Sequence, residues 1–495
     1  MTARLIVAVP TPVHSAIGTG QAAGMLSYAF EKELAPGTMV VVPLGRRKVL
    51  GIVWDNSRGT EAADSLALPT AQLRWVERTF ESLGTLSGHW RKLVEFAAQY
   101  YQRSLGEVAH SGLPPLLRDT SDPTRRRRVS NNRAPAGGVA TSEPITSRSL
   151  TQEQIAATMT AQNSLVPSLL FGATGSGKTE VYLQLIDTTL NTSPAAQVLV
   201  LVPEINLTPQ FEDRLLRRFT PQYGTGALTT LHSGLTPRQR LNNWLSAHQG
   251  PESGGARIIL GTRTAIFASM PGLRLIVVDE EHDASYKSQD ASRYSARDLA
   301  IFRGKAEGIK VILGSATPSL ESWVNATRGT GKAIANRPKY TLIRMPTRIG
   351  HGPIPRTRLV APPLSQSGPL LHPEIILAIQ SRVARKEQVL ILLNRRGYAP
   401  VLGCAVCAWK SDCPNCSAHQ VFHKRSQQLQ CHHCGASRRV PRSCPSCGNP
   451  DIKPLGTGTE KIEEALVEQA AGWLRPDGNS ATVLRLDADS TRKKG

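Results

Sequence analysis

Gly172-Ala-Thr-Gly-Ser-Gly-Lys178-Thr179 is the stretch on which the reading of this chain turns. It fits G-x-x-x-x-G-K-[ST], the phosphate-loop pattern. Ser168-Leu-Leu-Phe171 before it reads as a short buried strand, and Glu180-Val-Tyr-Leu-Gln-Leu-Ile-Asp187 after it has helical spacing. Strand, glycine loop and helix in that order let backbone N–H groups and a helix N-terminus surround a phosphate. Gly172, Ala173, Thr174, Gly175, Ser176 and Gly177 make the cradle, Lys178 reaches the β- and γ-phosphates, and Thr179 offers a hydroxyl to Mg²⁺. ATP and Mg²⁺ are the cofactors this implies.

Around the loop, from Leu150 onward, strands and helices alternate, the pattern of an α/β domain built on a parallel sheet. Its further expected strands are Gln197–Pro203, Ala256–Leu260, Leu273–Val278 and Lys310–Leu313. Asp279-Glu280-Glu281-His282 follows the third of these directly. A carboxylate at a strand end can hold Mg²⁺, and its neighbour can orient or deprotonate an attacking water. Asp279 takes the first role and Glu280 the second. Three more loops fit the same machine. Gly261-Thr-Arg-Thr264 can grip a nucleic-acid backbone, hydroxyls in Gly314-Ser-Ala-Thr-Pro318 can sense a γ-phosphate, and Gln154, just upstream of the loop, can pair with adenine.

Residues 1–118 read as a self-contained α+β unit. Met39–Pro43 and Val49–Trp54 form a hairpin with the basic tip Gly45-Arg-Arg-Lys48, and Leu73–Tyr101 reads as helical. Trp90, Leu93, Phe96 and Tyr100 recur at helical spacing and are expected in the core. Residues 119–149 are rich in Pro, Ser, Asn, Gly and Ala and carry Arg125–Arg128, which makes them a basic flexible linker.

The whole chain has 495 residues and a formal net charge of +21, which calls for several domains and a polyanionic partner, nucleic acid before all others. No run approaches the ~20 apolar residues of a membrane span, and Leu5–Val9 is too short for a signal peptide. A cytoplasmic chain is expected, with no membrane partner. All eight cysteines fall in four C-x-x-C pairs: Cys404/Cys407, Cys413/Cys416, Cys431/Cys434 and Cys444/Cys447. Two such pairs make one tetrahedral thiolate site, so eight ligands serve two Zn²⁺ ions. Three pairings are open. Only five residues separate Cys407 from Cys413, whereas fourteen separate Cys416 from Cys431, a length close to a zinc-ribbon loop. Spacing therefore favours nesting, Cys413/Cys416 with Cys431/Cys434 inside Cys404/Cys407 with Cys444/Cys447. His419, His423, His432 and His433 are not needed as ligands.

Taken together these motifs resemble the PriA family of primosomal, replication-restart helicases of superfamily 2. The resemblance rests on Gly172–Thr179, Leu201–Gln210, Leu231-His-Ser-Gly-Leu235, Asp279–Lys287, Arg293–Asp298, Gly314–Pro318, Asn394-Arg-Arg-Gly397 and the cysteine block. It implies a 3′-to-5′ DNA-translocating ATPase acting at stalled forks and D-loops, and it implies the same nested zinc pairing. It further implies a 3′-end-capturing module at 1–118 and a loop, Tyr286–Tyr294, that couples single-strand binding to hydrolysis. Primosome proteins, the loader of the replicative helicase and single-strand-binding protein are the implied partners, with a monomeric chain. The expected architecture is the 1–118 module, the 119–149 linker, a RecA-like helicase domain at 150–330, the start of a second at 331–399, a two-zinc insertion at 400–452, and an incomplete remainder at 453–495. The sequence departs from the family pattern in two places. The short linker stands where members carry a winged-helix module. After Gly456–Glu460 and Arg485–Asp489, the family's last helicase motifs have no counterpart up to Gly495. Salt-sensitive binding of forked DNA with little unwinding is therefore the expectation, and a fork-binding primosome scaffold without motor activity is the alternative.

Overall fold

The computed structural model describes residues 2–11, 24–54, 72–120, 149–203, 208–289, 292–327, 338–350, 356–360, 371–392, 401–404, 406–407, 409–416, 418–423, 427–431, 434–455 and 459–486. Arg125–Arg128, Asn394–Gly397 and most of the expected linker lie outside these residues. Two compact bodies divide at Pro353/Ile354.

The N-terminal part of the first body is a five-stranded antiparallel sheet, ordered β2-β1-β4-β3-β5. Its strands are β1 (Ala3–Ala8), β2 (Met25–Phe30), β3 (Met39–Leu44), β4 (Arg47–Val53) and β5 (Arg78–Thr79). The expected hairpin is β3–β4, with Val42 opposite Val49, and Gly45 at φ +61 makes the turn. Three helices follow, α1 (Gly88–Tyr100), α2 (Leu105–Ser111) and α3 (Pro115–Arg118). The helix expected over Leu73–Tyr101 is half that length. Gly84 at φ +80 breaks the chain, and the Ser87 side chain then accepts from the Trp90 N–H to start α1. Trp90 and Leu93 are buried as expected, but Tyr100 is 65% exposed and stacks on Phe96 from outside.

The rest of this body is a seven-stranded sheet, ordered β12-β6-β11-β10-β7-β9-β8. All its pairings are parallel. Its strands are β6 (Ser168–Gly172), β7 (Gln197–Leu201), β8 (Leu228–Leu231), β9 (Ile258–Gly261), β10 (Leu273–Val278), β11 (Lys310–Ser315) and β12 (Thr341–Met345). Both faces are covered, as a parallel sheet requires. Alternation along β7 shows how: Val198 and Val200 enter one apolar cluster, Leu199 and Leu201 the other. Helices α4 (Gln152–Asn163), α5 (Lys178–Thr192) and α6 (Thr208–Tyr223) pack in the first cluster through Ala157, Ile186 and Leu215. Helices α7 (Pro237–Gln249), α8 (Ala296–Glu307) and α9 (Leu320–Thr327) contribute to the second.

That second cluster also contains Trp90, Leu93, Val94 and Val108 of the N-terminal helices. The Trp90 indole donates to the Phe267 carbonyl at 2.8 Å, Phe96 stacks on Phe302 with centroids 3.7 Å apart, and the Tyr101 hydroxyl accepts from the Ser295 N–H at 3.0 Å. The N-terminal part is therefore not self-contained: its helices finish the core of the parallel sheet. The boundary expected at 330 also falls short, because β12 bonds to β6 beside the phosphate loop.

His110 offers a test of how α2 packs on β4. Its Nε2 lies 2.6 Å from the Leu50 carbonyl, and burial pushes the imidazole from 6.5 down to about 4 against the opposing pull of that bond. The unfolded chain takes up this proton near 6.5, so the contribution is complete above that pH and drains away as pH falls toward 4. At most about 3 kcal/mol is involved, at ~1.36 kcal/mol per unit. His110→Gln, which keeps a donor but cannot titrate, should flatten the loss of thermal stability between about pH 7 and 4.5. A variant that loses as much stability as wild type over that range would refute the assignment.

In the second body β13 (Val401–Cys404) pairs antiparallel with β17 (Ile452–Leu455), and β14 (Val421–His423), β15 (Gln428–Gln430) and β16 (Ser437–Arg439) form a small meander. Helices α10 (Pro373–Val383) and α11 (Thr459–Ala470) share a core of Ile379, Ile462, Leu466, Ala470 and Trp473. No helix among the described residues is long and apolar enough to cross a membrane.

Candidate nucleotide site and metal centres

The phosphate loop leaves β6 at Gly172 and enters α5 at Lys178. Gly175 and Gly177 both stand at φ +84, a conformation that L residues rarely adopt. At Gly177 space is a second reason for glycine, since a Cβ there would lie 2.4 Å from Gln154 Nε2 and 2.5 Å from Ile349 Cδ1. The loop is tied to the sheet edge by Ala173 N–H to the Met345 carbonyl at 3.2 Å and Ile349 N–H to the Gly175 carbonyl at 2.9 Å. Lys178 is buried and its ammonium donates to the Gly172 carbonyl at 2.9 Å.

Gln154 is already bonded at both ends of its amide. Its oxygen accepts from the Thr151 N–H at 2.9 Å, closing a capping box on α4, and its nitrogen donates to the Gly177 carbonyl at 3.3 Å. One N–H and one lone pair remain for a base.

Asp279 follows the last residue of β10 and accepts a hydrogen bond from the Tyr182 hydroxyl at 2.9 Å. Burial raises the Asp279 carboxyl above its ordinary value, while the Tyr182 bond works the other way. Tyr182 itself is raised well above 10, by burial first and then by the Asp279 charge, so it stays a donor. This tyrosine also explains Gly314, where a Cβ would meet the phenol oxygen at 1.6 Å. Glu280 sits at φ +45, a left-handed turn that a non-glycine residue enters only under local constraint.

Glu281, which the sequence reading left without a role, is the best-connected carboxylate here. Only 1% exposed, it accepts from the Ser319 N–H at 2.7 Å, the Ser319 hydroxyl at 3.0 Å, the Ser322 hydroxyl at 2.8 Å and Arg297 at 3.3 Å. His282 Nδ1 lies 2.8 Å from the Ser315 hydroxyl. The acidic strand end and the Gly314–Pro318 loop are thus one bonded unit. The Tyr286 hydroxyl lies 2.6 Å from the Asp279 carbonyl and 2.9 Å from that of Leu201, joining the expected coupling loop to the same strand ends.

These groups meet in one cavity of about 750 Å³, lined by Gln154, Thr174, Gly175, Gly177, Lys178, Thr179, Asp279 and Glu280. That size lies within the ~300–1,000 Å³ of small-molecule sites. Arg214, Arg217 and Arg218 of α6 line it too, and sequence reasoning missed them. Their spacing of three and four residues puts them on one helix face, a signal that was there to be read. Thr179 and Asp279 offer hard oxygen ligands of the kind that suit Mg²⁺.

The eight cysteines form two sets: Cys404, Cys407, Cys444 and Cys447, and Cys413, Cys416, Cys431 and Cys434. The nested pairing is the one present. Sulfur pairs lie 3.4–3.7 Å apart, far from bonding distance. A Zn–S bond of ~2.3 Å puts the edge of a tetrahedron at about 3.8 Å, so the sites suit zinc. Pairing of β13 with β17 brings the outer set together, and the meander holds the inner one. Gly435 at φ +80 and Gly448 at φ +74 turn the chain immediately after Cys434 and Cys447. The ligand sets are all cysteine, so each four-thiolate set suits one structural zinc ion, two in all, with no open position.

Comparison with known proteins agrees with this arrangement. Residues 7–114 match the 3'DNA-binding domain (3'BD) family, residues 149–325 the DEAD/DEAH box helicase family, and residues 413–439 the PriA DNA helicase Cys-rich region (CRR) domain. Replication restart protein PriA of Haemophilus influenzae is 41% identical over 66% of this chain and 41% of that protein. The Bacillus subtilis protein of the same name is 36% identical over 66% of this chain and 38% of its own length. That of Rickettsia conorii is 32% identical over 93% of this chain and 65% of that protein. The chain thus spans between 38% and 65% of these curated relatives.

Proposed function

Since this chain belongs to the PriA family of replication restart proteins, we propose that it is a DNA-dependent ATPase of replication restart, a 3′-to-5′ helicase or translocase acting at stalled forks and D-loops. The observation that carries this reading is that the phosphate loop and the Asp279-Glu280 strand end open into one arginine-rimmed cavity. In it Gly172–Gly177 cradle the phosphates, Lys178 leaves the Gly172 carbonyl for the β/γ-phosphates, and Gln154 reads adenine with its remaining N–H and lone pair. Thr179 and Asp279 would hold Mg²⁺, which when bound would supply charge neutralisation for the phosphates. Glu280 orients and deprotonates the attacking water. Glu281 and His282 then tie the strand end to Ser315 and Ser319, so a change at the γ-phosphate reaches that loop.

The +21 net charge supports nucleic acid as partner, and the 3'BD match supports capture of a strand end by the N-terminal module. We extend the proposal to a monomer in the cytoplasm that works with primosome proteins, the helicase loader and single-strand-binding protein. Thiolate metal sites suit such a reducing compartment.

ATP turnover with and without single-stranded and forked DNA tests the reading. Stimulation by DNA is expected. DNA binding without any turnover would instead leave a fork-binding scaffold. Glu280→Gln should keep ATP affinity while slowing hydrolysis ~10²-fold or more, the scale of a positioned base. Unaltered turnover in this variant would remove Glu280 from the chemistry.

A further inference from the structure

A second, smaller cavity of about 110 Å³ lies between the N-terminal module and the parallel-sheet domain. Arg118 at the end of α3 stands on one side, and His232, Arg240 and Trp244 stand on the other. Each of the four carries a buried nitrogen with no hydrogen-bond partner: Arg118 Nε, His232 Nδ1, Arg240 Nε and Trp244 Nε1. Orphaned buried donors are uncommon and each costs free energy. Among the described residues, no aspartate or glutamate lines the cavity. The two guanidinia are close enough that Arg240 lowers Arg118, on top of the larger effect of burial. Arg240 is fixed in place, its Nη2 donating to the Ser233 carbonyl at 2.8 Å and the Leu235 carbonyl at 3.2 Å.

Arginine and indole nitrogens can only donate, so a partner for them must accept, and two guanidinia with no carboxylate in the described lining favour an anion. The volume is far below the ~300 Å³ at which small-molecule sites begin, which leaves room for one compact anion and not for a nucleoside. We propose that this cavity seats a single phosphate group, that of a DNA strand crossing from the parallel-sheet domain to the N-terminal module. Thr264, in the loop read from sequence as a backbone grip, lies in the same wall and continues the track. The N-terminal module and the parallel-sheet domain, which share a core, would then also share one phosphate. The strand as source rests on the DNA-binding reading above; the seat itself does not.

The test uses the full chain, Arg118→Gln and, as a second variant, Arg240→Gln. Because Arg118→Gln removes a poorly compensated cation beside another, its melting temperature without anions should equal or exceed that of wild type. Affinity for a single-stranded oligonucleotide should fall about tenfold, with the salt slope reduced by about 0.7, one phosphate's worth. Replacing one backbone phosphate at a time by a neutral methylphosphonate should reveal one position that costs wild type about tenfold and costs the variant nothing. Inorganic phosphate should raise the melting temperature of wild type and leave Arg118→Gln unmoved. Phosphate stabilisation that depends on Arg118, with a flat methylphosphonate scan, would keep the seat and overturn the strand as its source. Wild type that binds no DNA but responds to phosphate through Arg118 would overturn the functional reading and keep the seat. If both variants match wild type in DNA affinity, salt slope and phosphate response, the proposal is wrong.

Discussion

Lys178→Ala is expected to lower ATP turnover ~10²–10³-fold or more, the scale for deleting one fixed donor to developing charge. Lys178 begins α5, where loop N–H groups and the helix N-terminus already favour an anion, so a nucleotide keeps some hold without it. What no other group in the loop supplies is a full positive charge on a tether. Arg214, Arg217 and Arg218 line the cavity from α6, yet Arg217 is held by Asp213 at 2.9 Å. Weaker ATP binding is expected alongside the loss of turnover. A small loss of stability should accompany both, because the Gly172 carbonyl loses the ammonium at 2.9 Å. Circular dichroism separates the two effects. Unchanged ATP affinity in a folded variant would falsify the assignment of this loop as the nucleotide site.

Removing zinc is expected to unfold residues ~400–455 and to leave ATP binding intact, with two ions released per chain. The buried core of that segment is Leu402, Phe422 and Leu429, with Trp409, Val440 and Ile452 partly covered. Three buried side chains at ~1.5–3 kcal/mol each are a small core for some fifty residues. Structural zinc supplies ~10–16 kcal/mol at each site, more than these three side chains together. Cys431→Ser, at a fully buried ligand of the inner set, should act much like chelation. Metal analysis returning a single ion per chain, or none in reduced protein, would end the two-site assignment. Among the described residues, none beyond Ile349 lines the candidate nucleotide cavity, which is why ATP binding should survive.

The parts of the site legible in the sequence were those fixed by local chemistry. A phosphate loop needs glycine, lysine and a hydroxyl at set spacing, and β10 followed by Asp279-Glu280 needs an apolar run and an acidic end, so both stood out. Tetrahedral zinc makes C-x-x-C pairs equally plain. Strands β8 and β12 were missed because Leu228-Thr-Thr-Leu231 and Thr341-Leu-Ile-Arg-Met345 are short and lie at the two edges of the sheet, where the apolar signal is weakest. Glu281 was overlooked because its value comes from Ser319 and Ser322, some forty residues away in sequence. The length of α1 was misjudged because the apolar spacing around Leu73–Leu86 serves loop and edge contacts, with Gly84 and Ser87 setting the true start.

The indole of Trp90 resting on the Phe267 carbonyl has a consequence for how this chain can be cut or inherited. A fragment starting near residue 150 would bare the surface that Trp90, Leu93 and Val108 now cover, including Phe267, Leu299 and Ala300. Such a fragment presents a large apolar patch to water and is expected to aggregate on expression. A recombination event that spliced the parallel-sheet domain to another partner would carry the same defect unless it also moved α1 and α2. The N-terminal module and the parallel-sheet domain therefore pack as one unit, although separate family models match them.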